Sequence, residues 1–144
     1  MTVHFEYAIE IPRQPAQVFA VLDDVARTPE WFSRCTAAEK LEPGANAVGS
    51  PLRYAILQRG TMTGTMEGSV VAYARDAHIA FRLTDRMFDI TIDFQLAPIA
   101  SGSRVVHQID IVPRSLVARL LQPLLRRVIP NQVAIDMAKL RDLV

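Results

Sequence analysis

The chain holds a single cysteine, Cys35, among its 144 residues, which excludes an internal disulfide. It also lacks the clustered Cys and His spacings of a structural zinc site. No apolar run approaches the ~20 residues needed to cross a bilayer as a helix. The opening segment MTVHFEYAIEIP carries acidic residues where an export signal would carry basic ones, so a cytoplasmic protein is expected. No catalytic motif is present, and nothing in the sequence points to a cofactor or a metal. Nor are aromatics interleaved with basic residues as on a single-stranded nucleic-acid platform, so nucleic acid is not an expected partner.

What is present fits one globular domain spanning residues 1–144. Half of the residues are hydrophobic and 22% are charged. Net charge is +1, but it is unevenly placed: residues 101–144 hold seven Arg and Lys against three Asp, and the first hundred hold nine against twelve acids. A cationic C-terminal segment could approach a membrane surface. A solvated outer helix face is the preferred reading of it.

Hydrophobic periodicity supplies the architecture. Val3, Phe5, Tyr7, Ile9 and Ile11 alternate with polar residues, which predicts a half-buried strand. Pro15 suits the first turn of a helix whose stripe is Val18, Phe19, Val21, Leu22 and Val25. Thr28 and Pro29 can cap and open a second short helix ending near Trp31. Further strands are expected near 36–42, 50–58, 61–74, 77–83, 87–98 and 103–112. Turn chemistry separates them at Pro43-Gly44, Arg59-Gly60, Arg75-Asp76, Thr84-Asp85 and Ser101-Gly102. Such short connections favour an antiparallel meander.

From Ser115 the spacing predicts a long helix over 115–142. Leu116, Leu120 and Leu124 form one apolar stripe, with Leu121, Leu125 and Val128 beside it. Pro123 and Pro130 should bend it, with the break placed near Pro130. The fold class expected is therefore α+β, a seven-stranded antiparallel sheet wrapped around a C-terminal helix. The fourth strand would turn Met62, Gly64, Met66, Gly68 and Val70 inward. Its glycines either let the sheet curl or leave room beneath it.

Several segments are similar to a known pattern: IPRQPAQVFAVLDD (Ile11–Asp24), PEW (Pro29–Trp31), VVAYARDAHIAFRL (Val70–Leu83) and FQLAPIASGSRVV (Phe94–Val106). In these the chain resembles the helix-grip proteins of the START-related, Bet v 1-like (SRPBCC) superfamily, particularly the bacterial polyketide cyclase/dehydrase group. The resemblance implies binding of a small hydrophobic molecule, lipid-, polyketide- or sterol-like, between sheet and helix. A minority of such proteins catalyse cyclisation or dehydration, and no universal catalytic residue carries over.

The expected chamber is bounded by Trp31, Tyr54, Met62, Met66, Phe81, Phe88, Ile90, Ile92, Phe94, His107, Ile109, Leu120, Leu124 and Val128. Its polar members are His107, Tyr54 and Tyr7, which are the candidate catalytic groups. A histidine there could orient a ligand carbonyl or hydroxyl, or act as a base; the competing role is a core histidine bonded to a tyrosine or a backbone carbonyl. Trp31 is expected to serve as a wedge near the mouth, and Cys35 as a small buried residue. Asp89, Asp93, Asp110, Glu67, Arg53 and Arg82 fall on the outer face, where cross-strand charge pairing accounts for them. Three functions compete: a carrier of a hydrophobic molecule, a cyclase or dehydratase using His107 with a tyrosine, and a partner-regulating module with a vestigial cavity.

Overall fold

A computed structural model describes residues 2–59 and 62–144. The strands are β1 (Val3–Ile11), β2 (Cys35–Lys40), β3 (Pro51–Arg59), β4 (Met62–Ala74), β5 (His78–Thr84), β6 (Phe88–Ile99) and β7 (Gly102–Pro113). The helices are α1 (Pro15–Asp23), α2 (Thr28–Trp31), α3 (Leu116–Leu120) and α4 (Gln122–Leu143), with a 3-10 turn at Val25–Arg27. All pairings are antiparallel and the sheet order is β1-β7-β6-β5-β4-β3-β2. The expected strands and the two short helices are present within two residues of their predicted bounds. The expected turn at Arg59-Gly60 lies outside the described residues.

Local chemistry explains the turns. Asp76 takes a left-handed conformation (φ 64°) between β4 and β5, as a short polar residue in a tight turn can. Between β5 and β6 the Asp85 carboxylate accepts the backbone N–H groups of Met87 and Phe88, both at 2.8 Å. Thr28 does not cap α2 as expected: it is the first helical residue, and its hydroxyl donates to the Val25 carbonyl at 2.7 Å. Ser115 does cap α3, its oxygen accepting the Ala118 N–H at 3.1 Å.

The alternation sorts the two sheet faces as predicted. Outside, His4 pairs with Asp110 at 2.6 Å, His78 with Asp93 at 2.7 Å, and Arg53 with Glu39 at 3.1 Å and Glu67 at 3.5 Å. Arg82 grips Asp89 through both nitrogens. Inside, Leu52, Val70, Ile79, Leu83, Phe94 and Val105 are buried against Val18, Phe19 and Leu22 of α1 and Val133, Met137 and Leu140 of α4.

Two expectations about this frame are corrected. Gly68 does not make room for a ligand: a Cβ there would overlap the Arg82 carbonyl oxygen of the neighbouring strand, so the glycine serves the close approach of β4 and β5. The helix break also lies elsewhere. It falls at Leu121, between α3 and α4, with Pro123 in the first turn of α4 where no donor is required. Pro130 sits inside α4, which continues to Leu143. Proline there forfeits the bond to the Arg126 carbonyl, and the buried residues downstream hold the helix together regardless.

Those anchors include a polar one. Asp136, buried on α4, accepts from the Ser33 hydroxyl at 2.6 Å, the Ser33 N–H at 3.2 Å and the Gln132 amide at 3.0 Å. This ties the second half of α4 to the junction between α2 and β2. No helix among the described residues is long and apolar enough to cross a membrane.

Candidate functional site

The sheet register assembles the interior in rows. Tyr7, His107, Phe94, Ile79 and Tyr73 are cross-strand neighbours along one row, from β1 to β4. Phe5, Ile109, Ile92, Phe81 and Val70 form the next. A bulge between Val70 and Ala72 lets Tyr73 turn inward after Val70. Its phenol donates to Asp23 at 3.0 Å, and its ring meets Phe19 edge-on.

The aromatic centre is a three-ring contact. His107 lies flat on Phe94, and Trp31 of α2 meets the same Phe94 ring edge-on, with centroids 5.3 Å apart and planes at 89°. All three side chains are buried. Phe32 stacks on Trp31 at 5.8 Å, and Trp31 is buried well inside the fold, not at a mouth as expected. Its Nε1–H is buried and has no hydrogen-bond partner among the described residues.

His107 places Nδ1 3.1 Å from the Asp93 backbone carbonyl. A carbonyl only accepts, so Nδ1 carries the proton and the lone pair stays on Nε2, at the far edge of the ring. Burial dominates the titration and pushes the imidazole down to about 4, with the Asp93 carbonyl opposing the shift. At neutral pH His107 is thus a neutral acceptor, not a base poised near working pH as the sequence allowed.

Tyr54 is also buried. Desolvation raises its phenol above the ordinary range, and a contact with the Thr28 side chain opposes that shift. Tyr54 therefore ties β3 to α2. Tyr7 is half-buried beside His107. Cys35 is buried, and desolvation pushes its thiol up to about 11.

Of the expected lining residues, Trp31, Tyr54, Met66, Phe81, Ile92, Phe94 and His107 are brought together as buried core. Phe88, Ile90 and Ile109 share their face and remain half-buried. Four expectations are overturned: Met62 is 65% exposed, Leu120 72%, Leu124 56% and Val128 49%. The helix turns a different stripe inward, namely Ala118, Leu121, Gln122, Leu125, Ile129, Val133, Met137 and Leu140. The segment is apolar on nearly every side in its first half, so periodicity within that half could not choose the phase. The signal that could have chosen it is the unbroken four-residue step from Leu121 through Leu125, Ile129 and Val133 to Met137.

The half-buried walls, Phe88, Ile90 and Ile109 on the sheet and Leu121, Leu125 and Ile129 on the helices, leave apolar surface accessible on both sides of the interior. Two depressions lie elsewhere: one of about 350 Å³ beside His78, Gln95, Arg104 and Val106, and one of about 260 Å³ beside Glu39, Arg53, Tyr54 and Thr65. Tyr54 alone belongs to the expected chamber. Among the described residues no group of three or more His, Cys, Asp or Glu side chains converges as a metal site.

This architecture is shared. The Zhui aromatase/cyclase from a Streptomyces species superposes with a TM-score of 0.81 at 18% identity, over 99% of this chain and 93% of that one. A START superfamily protein from Mycobacterium smegmatis gives 0.78 at 15% identity, over 98% and 96%. These likenesses establish the helix-grip fold. No curated protein matches the chain by sequence. The family model for polyketide cyclase / dehydrase and lipid transport matches residues 2–144. With fold, register and family model in agreement over its length, the chain belongs to the polyketide cyclase/dehydrase and lipid transport family.

Proposed function

We propose that this protein binds and carries a small, largely apolar molecule that bears a hydrogen-bonding oxygen. The molecule is held between the concave face of the sheet and the C-terminal helices. The observation that carries this reading is the unpartnered Trp31 Nε1–H beside Phe94. A buried donor without a partner costs about 1–3 kcal/mol, and a ligand carbonyl or phenolic oxygen recovers that loss. His107 adds an acceptor on the same aromatic centre through Nε2, suited to a ligand hydroxyl. Lipid-, polyketide- and sterol-like molecules all combine an apolar body with such groups. The half-buried walls at Phe88, Ile90, Leu121 and Leu125 are the natural way in.

An acid–base enzyme using His107 with a tyrosine is the weaker reading. Neutral pH lies far above the range in which His107 takes up a proton, and desolvation holds the Tyr54 phenol above its ordinary range. Proton transfer by this pair is therefore disfavoured at both ends.

Trp31 is the sole tryptophan, so its fluorescence reports on the site directly. An aromatic ketone and its deoxygenated hydrocarbon counterpart are titrated into wild type and Trp31→Phe, with binding to the variant read by calorimetry. The ketone should bind wild type about fivefold tighter than the hydrocarbon, a preference of ~1 kcal/mol. Trp31→Phe should remove that preference. Equal affinities in wild type, or binding of neither compound, would overturn the proposal. Native mass spectrometry of the purified protein identifies any molecule carried from the host.

A further inference from the structure

The stripe that the fold turns outward is itself unusual. Leu116, Val117, Leu120, Leu124 and Val128 are 72%, 61%, 72%, 56% and 49% exposed. The four-residue steps among them make Leu116, Leu120, Leu124 and Val128 neighbours along the surface of α3 and the first half of α4. Over the twelve residue steps from Leu116 to Val128 that ridge runs for about 18 Å. Contiguous exposed apolar surface of this kind marks an interaction site.

The charges around it select the partner. Between Asp110 and Asp136 the sequence contains no acidic residue and four arginines: Arg114, Arg119, Arg126 and Arg127. Arg114 is engaged by the Asp85 carbonyl. Arg119, Arg126 and Arg127 are exposed, and no acidic partner is present for them among the described residues. We propose that this face of α3 and α4 is where the protein rests on an anionic lipid bilayer, its leucines entering the headgroup boundary and its arginines meeting lipid phosphates. Exposed leucines with Arg127 among them, and Arg119 and Arg126 flanking them, answer the two features such a surface offers together, hydrocarbon and negative charge. A second copy packed on the same stripe would set these arginines against each other with no carboxylate between them. Nucleic acid would leave the leucines in water. The inference does not depend on the interior being a ligand site, and it revises the solvated helix face preferred from the sequence.

Flotation of the full chain with vesicles tests it. One set is phosphatidylcholine alone, the other phosphatidylcholine and phosphatidylglycerol at 70:30, each at low and high salt. The protein should float with the anionic vesicles, far less with the neutral ones, and high salt should release it. Replacing Arg119, Arg126 and Arg127 by Gln should weaken partitioning about fivefold for each charge removed. Leu120→Ser with Leu124→Ser should abolish it. All five positions are exposed, so circular dichroism and Trp31 fluorescence should be unchanged in both variants. Binding to neither vesicle, or equal salt-insensitive binding to both, would overturn the proposal. So would concentration-dependent self-association in sedimentation that the leucine variant removes, which would assign the stripe to a second copy.

Discussion

The His107 imidazole lies against the Phe94 ring with centroids 4.2 Å apart and planes inclined by only 10°. The two residues are also direct cross-strand partners of β7 and β6. Stacking fixes the ring plane and the Asp93 carbonyl fixes the tautomer, while burial holds the group neutral. A proton added at low pH enters an apolar stack.

That arrangement makes stability depend on pH with a defined sign. The folded-state value of about 4 lies below the ordinary 6.5, so between them the unfolded chain binds the extra proton and the native state does not. Stability should therefore fall as pH drops from about 6.5 to about 4, by on the order of 3 kcal/mol from this residue. His107→Phe should fold and lose that component, as urea unfolding at pH 7 and pH 4.5 would reveal. An identical acid loss in the variant would mean that His107 is not its source.

Gly68→Ala should be among the most damaging small substitutions in the chain. The added methyl meets the Arg82 carbonyl oxygen, which belongs to backbone and cannot swing away. A cost of about 3 kcal/mol or more is expected, with β4 and β5 displaced. Thermal unfolding measures it, and a near-neutral result would contradict the close strand approach.

The Asp136 anchor predicts a graded series. Asp136→Ala removes acceptors from the Ser33 N–H, the Ser33 hydroxyl and Gln132, and should cost about 2–4 kcal/mol because buried donors are stranded. Ser33→Ala leaves the carboxylate two partners and should cost about 1 kcal/mol. Hydrogen exchange should accelerate in the second half of α4 in the first variant and barely in the second.

Cys35 should behave as an inert thiol. With its titration pushed up to about 11, only about one thiol in a thousand is ionised at pH 8, against a substantial fraction of a free cysteine. Ellman's reagent should react at least about a hundredfold faster after addition of denaturant. Rapid modification of the native protein would contradict the burial described for this side chain.

The sheet was readable in the sequence because its signals are local. Period-two alternation placed Val105, His107, Ile109 and Ile111 on one face, and Thr84-Asp85 and Arg75-Asp76 marked turns that the structure builds on Asp85 and Asp76. The C-terminal helices were legible in extent and not in phase. Leu120 and Leu121, or Leu124 and Leu125, are equally apolar, and the choice between them shows only when the stripe is followed on to Val133 and Met137, where tertiary anchors such as Asp136 hold the second half of the helix. The site was legible in composition and not in chemistry. His107, Trp31 and Tyr54 are all interior, but the tautomer of the first, the unpartnered donor of the second and the Thr28 contact of the third depend on the meeting of distant segments.

The sheet order has a kinetic consequence. Strands β2 to β7 neighbour one another in sequence and can zip together as successive hairpins, but β1 pairs only with β7, Val3 lying opposite Ile111. That one pairing closes a loop of roughly a hundred residues, an entropic penalty that grows with loop length and slows the search for native contacts. During synthesis β1 leaves the ribosome first and finds its partner nearly last. Until then its apolar side, Phe5, Tyr7 and Ile9, remains an unpaired edge open to other chains, which makes the arrival of β7 the step that ends the protein's most aggregation-exposed interval.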